Sequence, residues 1–194
     1  MRFHLGTDRV AVVFPLLHIA IKFPIVRVWR AVRLLYRDIC SGGWKQVKKD
    51  WGYPMEMRAC FRGLLFRGFA ANWGEFRFWW QTRHPFVQPT FISFFGLFNV
   101  QRADAPCLLK REDVWVQLYR LTQGKVFADA HHFAEPGNFC FRDGKLRMHD
   151  YGGRACQGVI VRYGASIVTG FDPAYRWEAE NVDAKRTEEK DDRS

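Results

Sequence analysis

A tight hairpin between Asn138 and Asp150 constrains the fold of this chain more than any other feature of its sequence. An apolar run at 139–141 leads into Arg142-Asp143-Gly144-Lys145, and Asp-Gly is a residue pair that favours a two-residue turn between antiparallel strands. A second short run, 146–150, follows the turn. The reversal predicts that the amide of Asn138 and the carboxylate of Asp150 lie side by side.

Length and composition predict one folded domain with a charged tail. A chain of 194 residues that is 48% hydrophobic, with 18 Phe and 8 Trp, can bury one sizeable core, whereas two full domains would be cramped. Residues 178–194 are almost all charged or small and contain no aromatic side chain, which is typical of disorder. We therefore expect one domain over residues 1–177 and a disordered tail over residues 178–194.

The cysteines and the N-terminal region favour a cytoplasmic location. The five cysteines are odd in number, widely spaced and without a Cys-x-x-Cys pair, which argues against a disulfide framework or a zinc knuckle and fits a reducing compartment. The apolar stretch 10–29 has about the length of a membrane span, but it contains Pro15, His18, Lys22 and Pro24 and lacks a signal cleavage site. We expect buried strands there rather than a membrane span.

The N-terminal third of the chain predicts two strands and a basic helix. Short apolar runs at 9–14 and 18–23 are typical of strands, and Pro24 ends the second one. Arginines then recur at spacings of three and four, which places them on one face of a helix that ends at Ser41-Gly42-Gly43. These arginines are Arg27, Arg30, Arg33 and Arg37.

Further helices are predicted over residues 54–69 and 72–82. Asn72 is the residue type that caps a helix start, and His84-Pro85 ends the second helix. The remaining elements are two short strands within 90–100 and an amphipathic helix over 112–126. The predicted fold class is α+β, with a small antiparallel sheet and several helices.

The segment from Asn138 to Gly152 resembles the metal-binding part of the protein-kinase superfamily. In that superfamily a catalytic loop ends in Asn and leads through a strand pair to Asp-Phe-Gly. Here Asp150-Tyr151-Gly152 stands twelve residues after Asn138. The resemblance covers roughly residues 3–155 and is most specific at 129–152. It implies that Asn138 and Asp150 are Mg²⁺ ligands and that Gly152 belongs to the nucleotide site.

A second part of the kinase pattern lies upstream. Ile19-Ala20-Ile21-Lys22 resembles the Val-Ala-Ile-Lys strand of kinases, which implies that Lys22 contacts the phosphates of ATP. The carboxylate that would hold this lysine is assigned to Glu75, because its helix directly precedes the predicted strands within 90–100, and Glu56 is the reserve. Either assignment implies a basic helical insertion over residues 24–70.

The catalytic base departs from the usual pattern. The residue five before Asn138, where kinases have their catalytic Asp, is Phe133, which predicts a pseudokinase. However, Asp129-Ala130-His131 resembles the Asp-x-His opening of the catalytic loop in atypical bacterial and phage kinase-like proteins, with extra residues before the Asn. That resemblance implies that Asp129 is the base, and we expect His131 to orient the loop by hydrogen bonding.

A metal cluster is an alternative interpretation of the same segment. His131, His132 and His149 together with Asp129 and Asp150 supply imidazole and carboxylate ligands of the kind that Zn or Fe accepts. Adjacent histidines point in different directions on most backbones, which disfavours this alternative.

The resemblance to kinases fails at both ends of the chain. The repeated glycines that cradle phosphates are absent around Gly6, where the phosphate-covering loop would be. Only 42 residues follow Gly152, so the long helical lobe that supports a peptide substrate is reduced. The sequence therefore predicts a truncated protein-kinase-like fold of the small type found in bacteriophages and bacteria.

Two functions follow from this interpretation. The first is an ATP- and Mg²⁺-binding kinase-like protein, which would be a phosphotransferase for a protein or small-molecule hydroxyl if Asp129 lies near an acceptor. The second is a catalytically inactive pseudokinase that uses its basic helical arm to bind an acidic protein or nucleic acid.

The basic arm itself leaves several partners open. Residues 25–69 contain ten Lys or Arg against three acidic residues, a net charge of +7, with Trp29, Trp44 and Trp51 among them. This mixture suits nucleic acid through phosphate contacts and stacking, and it suits an acidic protein or anionic lipid equally well. A charged helix face can also be merely solvated. The partner-binding residues predicted within 27–67 are Arg27, Arg30, Arg33 and Arg37.

Overall fold

The computed structural model of the protein describes residues 1–52 and 60–178 and has a mixed α+β architecture, as predicted. Its strands are β1 (Arg2–Leu5), β2 (Arg9–Phe14), β3 (Ile19–Pro24), β4 (Thr90–Ser93), β5 (Asn99–Arg102), β6 (Ala105–Pro106), β7 (Phe139–Arg142) and β8 (Lys145–Met148). Its helices are α1 (Val28–Gly52), α2 (Phe61–Thr82), α3 (Arg111–Leu121), α4 (Ala130–Phe133) and α5 (Arg154–Gly170). The strands form two antiparallel sheets, ordered β1-β2-β3-β5-β4 and β6-β7-β8.

The two strands predicted near the N-terminus lie in the middle of the larger sheet as β2 and β3. Their register pairs Ala11 with Lys22, so these two side chains project from the same face of the sheet. Ala20 and Lys22 are buried whereas Phe23 is exposed, as expected from the two-residue periodicity of a strand. The face of the sheet that carries Lys22 is therefore turned toward the protein interior.

Helix α2 packs against this sheet and is continuous from Phe61 to Thr82, so the prediction of a new helix capped by Asn72 was wrong. The side chain of Asn72 is fully buried and does not cap a helix. Its Nδ2 donates to the carbonyl of Lys22 at 3.3 Å and to that of Gly96 at 3.0 Å, and it therefore ties the helix to the sheet. The helix ends before His84-Pro85 as predicted, with Arg83 in a left-handed conformation.

The basic arm contains two helical segments within α1, which meet at a kink. The backbone is not helical at Gly43, where φ is 59° and ψ is −158°, so the first segment stops at the predicted Ser41-Gly42-Gly43 and a second segment, which was not predicted, continues to Gly52. Ala31 of the first segment and Val47 of the second both belong to a small apolar cluster with Phe61 of α2. The predicted insertion 24–70 does not end at an element boundary, because its last ten residues belong to α2.

Three predictions lie outside the described residues. The helix start at Pro54 and the reserve carboxylate Glu56 fall between residues 52 and 60, and nearly all of the tail predicted to be disordered follows residue 178.

The second half of the chain builds the main core. The predicted hairpin is confirmed as β7 and β8, and the two predicted strands within 90–100 are confirmed as β4 and β5. The core collects fully buried side chains from the hairpin and from α3, α4 and α5, including Leu118, Phe133, Phe139, Leu146 and Ile160. The hairpin that carries the candidate site is thus held on a rigid support.

In the part of the chain that the structure describes, no helix is both long enough and apolar enough to cross a lipid bilayer. The apolar stretch 10–29 forms β2, β3 and the start of α1.

Candidate functional site

A buried ion pair joins the sheet to helix α2. Lys22 Nζ lies 3.1 Å from Oε1 and 3.0 Å from Oε2 of Glu75, and both residues are buried. The same ammonium group donates to the carbonyl of His149, the residue before Asp150. The structure therefore brings together Lys22 and Glu75, which the sequence paired, and places them beside the end of the hairpin.

A second cation, Arg9, lies in the same cluster and was missed by the sequence analysis. Its Nη1 is 2.7 Å from Glu75 Oε1, and its Nη2 donates to Asp150 Oδ1. Strand periodicity could have indicated it, because Arg9 is two residues from Ala11, the register partner of Lys22, and so shares that face of the sheet. Arg9 thus connects the helix carboxylate to the carboxylate of the Asp-Tyr-Gly segment.

The charges in this cluster determine its protonation. Burial on its own would raise the pKa of the Asp150 carboxyl, but the positive charges of Arg9 and Lys22 hold that pKa well below its usual range. Burial also lowers the pKa of Lys22, against the opposing effect of Glu75. Asp150 is therefore ionised at neutral pH, as a metal ligand must be.

The Asp-Tyr-Gly segment is fixed by its central residue. Tyr151 is fully buried, and its hydroxyl lies 2.8 Å from Thr90 Oγ1 and donates to the carbonyl of Gln88 at 2.7 Å. Its backbone N–H donates to Glu75 Oε1 at 3.4 Å, so the ion-pair carboxylate also contacts this segment. Position 152 requires glycine, because a Cβ atom there would lie 2.8 Å from the carbonyl oxygen of Ala71.

The predicted base, Asp129, is connected to Asp150 through a histidine. The carboxylate of Asp129 is nearly buried, and its Oδ1 lies 2.8 Å from His132 Nδ1. The other ring nitrogen, His132 Nε2, is 3.9 Å from Asp150 Oδ1. Burial lowers the pKa of His132, but its hydrogen bond to Asp129 and the Asp150 charge outweigh this, and the net pKa is raised. From sequence, His132 was considered only as a ligand of the alternative metal cluster, and its place between Asp129 and Asp150 was not predicted.

His131 also contacts Asp129, and this overturns one argument made from sequence. Its Nδ1 lies 2.8 Å from the same Oδ1 that His132 approaches, and the two ring centroids are 3.9 Å apart. The expectation that these adjacent histidines point in different directions was therefore wrong. The ligand atoms of Asp129, His131 and His132 lie within 4.8 Å of one another, a spacing that one metal ion could span.

Asn138 faces the same histidine. Its side-chain Nδ2 donates to the backbone carbonyl of His132 at 3.0 Å, and its backbone carbonyl accepts from the N–H of His149 at 3.0 Å. This orientation uses the amide nitrogen and leaves Oδ1 as the atom that can bind a cation. The contacts of Asp150 with Arg9 and His132 both use its Oδ1, so its Oδ2 can accept a further partner. The donor set of Asn138 and Asp150 therefore fits Mg²⁺ in its chemistry.

Phe133 and the arginines of the basic arm lie away from this cluster, whereas His149 lies beside it. Phe133 is fully buried in the main core. Arg30, Arg33 and Arg37 are exposed on α1, whereas Arg27 precedes the helix and donates to the carbonyl of Thr7, so the predicted four-arginine face has three members on the helix. His149 is packed beside Lys22, and burial lowers its pKa to about 3.

No family model matches the chain, and no curated protein or solved structure is detectably similar to it. The functional interpretation therefore depends on the contacts of these side chains and on the resemblance of short sequence motifs to kinases.

Proposed function

We propose that this protein is an ATP- and Mg²⁺-binding kinase-like protein with a truncated protein-kinase-like fold. The observation that carries the proposal is the buried Lys22–Glu75 ion pair, whose members also contact the backbone on both sides of Asp150. In protein kinases, a strand lysine paired with a helix glutamate and the metal-binding Asp must all be in place for activity.

The order of the parts along the chain supports the same proposal. The lysine is on the third strand, and the glutamate is on the helix before the β4–β5 pair. The amide and the second carboxylate then flank a hairpin. A buried ion pair alone is weak support, since such pairs also occur for structural reasons. Its proximity to Asp150 and to the Asp129–His132 pair makes a nucleotide site the better explanation.

Each side chain has a role in this proposal. Lys22 would orient the phosphates, and Asn138 and Asp150 would hold Mg²⁺, which neutralises charge on the phosphate oxygens. Asp129 would accept the proton of the acceptor hydroxyl as the γ-phosphoryl group passes to that oxygen and ADP leaves. His132, between Asp129 and Asp150, would keep the base in position.

The second candidate is a non-catalytic protein that keeps this scaffold and binds an acidic protein or nucleic acid through its basic arm. The observation that favours it is the ion pair between Arg9 and Asp150, because Arg9 supplies in the protein the positive charge that Mg²⁺ would otherwise supply. The burial of Phe133 at the usual position of the catalytic Asp points the same way.

Thermal unfolding with ATP, with and without Mg²⁺, tests the nucleotide claim. A ligand that binds only the folded state raises the melting temperature, and we expect this rise for the wild type and its loss in Asp150→Asn. Asp143→Asn is the matched control, because Asp143 is an exposed carboxylate in the hairpin turn. If MgATP did not change the melting temperature of the wild type, nucleotide binding would be refuted.

A second measurement separates catalysis from binding. With radiolabelled ATP and candidate protein and small-molecule acceptors, we expect Asp129→Asn to keep the MgATP-induced rise in melting temperature and to lose label transfer. If wild type and Asp129→Asn bind MgATP equally and neither transfers label, the non-catalytic candidate is the better description.

A further inference from the structure

Helix α1 exposes an apolar stripe that the nucleotide-site proposal leaves unexplained. Five large apolar side chains before the kink are solvent-accessible, and we call them the α1 stripe: Val28, Trp29, Val32, Tyr36 and Ile39. Trp29 is 86% exposed and Tyr36 70% exposed, although the main core of the protein is well filled. Contiguous exposed apolar surface of this kind marks an interaction site in soluble proteins.

Helical geometry places the α1 stripe next to the arginine row. At about 100° of rotation per residue, the five stripe residues fall within a sector of about 100°, and Arg30, Arg33 and Arg37 occupy the next sector of about 60°. The remaining side of the helix, with Ala31 and Asp38, is buried against the protein. The accessible side of α1 is therefore an apolar band bordered along its length by guanidinium groups.

The helix keeps this character beyond the kink. Trp44 is 68% exposed, and Lys45, Lys48 and Lys49 lie on the surface after it, whereas the Trp51 ring packs on Phe61 and Arg62 of α2. A surface that places exposed tryptophan beside basic side chains on both sides of the kink suits the boundary between lipid headgroups and acyl chains, where amphipathic rings and cations are both favourable.

We propose that α1 is a membrane-surface helix that docks the protein on anionic lipid, with the α1 stripe inserted at the acyl boundary and the arginine row on the headgroups. This proposal is independent of nucleotide binding. The helix would lie in the plane of the membrane, which requires neither the length nor the uniform hydrophobicity of a spanning helix.

Nucleic acid fits the same surface less well. Phosphates would contact Arg30 and Arg33, and bases could stack on Trp29. Nucleic acid offers no hydrocarbon surface, however, against which Val28, Val32 and Ile39 could be buried. An anionic lipid surface satisfies both halves of the pattern, since it offers negative headgroups beside hydrocarbon.

Co-sedimentation of the full chain with vesicles tests the proposal. We expect binding to vesicles of phosphatidylcholine mixed with phosphatidylglycerol and much weaker binding to phosphatidylcholine alone. Both Trp29→Ser/Val32→Ser and Arg30→Glu/Arg33→Glu should weaken binding to the mixed vesicles by about tenfold or more. The four positions are exposed, so circular dichroism and the melting temperature should show folded variants.

Matched variants outside α1 make the test specific. Leu108→Ser removes another highly exposed apolar side chain, and Arg111→Glu/Lys145→Glu makes the same charge change at exposed positions elsewhere. Both controls should bind vesicles much like the wild type. Equal losses in the controls would overturn docking through α1. The lipid proposal would be overturned if the wild type did not bind the mixed vesicles. It would also be overturned if the wild type bound single-stranded DNA but not lipid.

Discussion

Arg9 forms an ion pair with Asp150, so the carboxylate assigned to a metal ion already has a cationic partner within the protein. The same guanidinium contacts Glu75, which also binds Lys22. Two cations and two carboxylates therefore form one connected network, and a metal ion that approaches Asp150 must coexist with Arg9 or displace it. Under the proposed function, Arg9 and Mg²⁺ would therefore compete for this carboxylate or share it.

Replacing Arg9 should separate its structural role from its competition with metal. Arg9→Gln removes charged hydrogen bonds to Asp150 and Glu75, and we expect the free energy of unfolding without ligand to fall by about 2 kcal/mol. If Arg9 competes with Mg²⁺, the variant should bind MgATP more tightly than the wild type, as titration calorimetry would show. Weaker MgATP binding would instead make Arg9 a phosphate-binding residue.

The Lys22–Glu75 pair should behave as a buried, coupled unit. Lys22→Met leaves Glu75 with Arg9 as its cationic partner, so the loss should fall below the roughly 3–5 kcal/mol that an uncompensated buried charge costs. Glu75→Gln should be at least as damaging, because it also withdraws the carboxylate from Arg9 and from the Tyr151 N–H. In urea unfolding, the double variant should cost less than the sum of the single variants, and strict additivity would mean that the two side chains do not interact.

The histidines beside the site should respond to pH with opposite signs. Burial lowers the pKa of His149 to about 3, so this imidazole stabilises the fold above its ordinary pKa and that contribution is lost as pH falls from about 6.5 toward 3. The pKa of His132 is raised, so its contribution is present below about 6.5 and is lost as pH rises through the raised value. In NMR titrations, His132 should therefore titrate above His149.

Urea unfolding at pH 7 and pH 5 tests the effect of His149. His149→Gln cannot be protonated in this range, so the decrease in unfolding free energy between pH 7 and pH 5 should be smaller in this variant than in the wild type. His18→Gln is the control, because His18 lies in the turn between β2 and β3 and not beside the site. An unchanged pH dependence in His149→Gln would mean that His149 is not held neutral by burial.

Local sequence signals sufficed for much of the fold. The β-branched run at 9–14 and the Asp-Gly turn at 143–144 both predict their elements correctly, because period-two apolar residues and turn preferences act within a few residues. The pairing of Lys22 with Glu75 was also predicted, but from the resemblance to kinases, in which the helix that carries the glutamate directly precedes such a strand pair.

The misses arose from contacts between distant residues. Asn72 has the side chain of a helix cap, but its amide donates to the carbonyls of Lys22 and Gly96, and no local pattern reveals those partners. Arg9 was overlooked for the same reason, and so was the place of His132 between two carboxylates, because their partners are set by the packing of the sheet and hairpin on α2. Local propensity cannot predict such tertiary hydrogen bonds.

The close approach of Gly152 to helix α2 provides a test of the site geometry that requires no ligand. An added Cβ would lie 2.8 Å from the Ala71 carbonyl oxygen, so Gly152→Ala must separate the Asp-Tyr-Gly segment from α2, and we expect a loss of about 1–3 kcal/mol in unfolding free energy. Gly158→Ala is the matched control. Gly158 is exposed in helix α5 with no atom within 4 Å of an added Cβ, so alanine there should stabilise by up to about 1 kcal/mol. If Gly152→Ala were as stable as Gly158→Ala, Asp150 would not be held against α2 in the way that the Lys22–Glu75 contacts require.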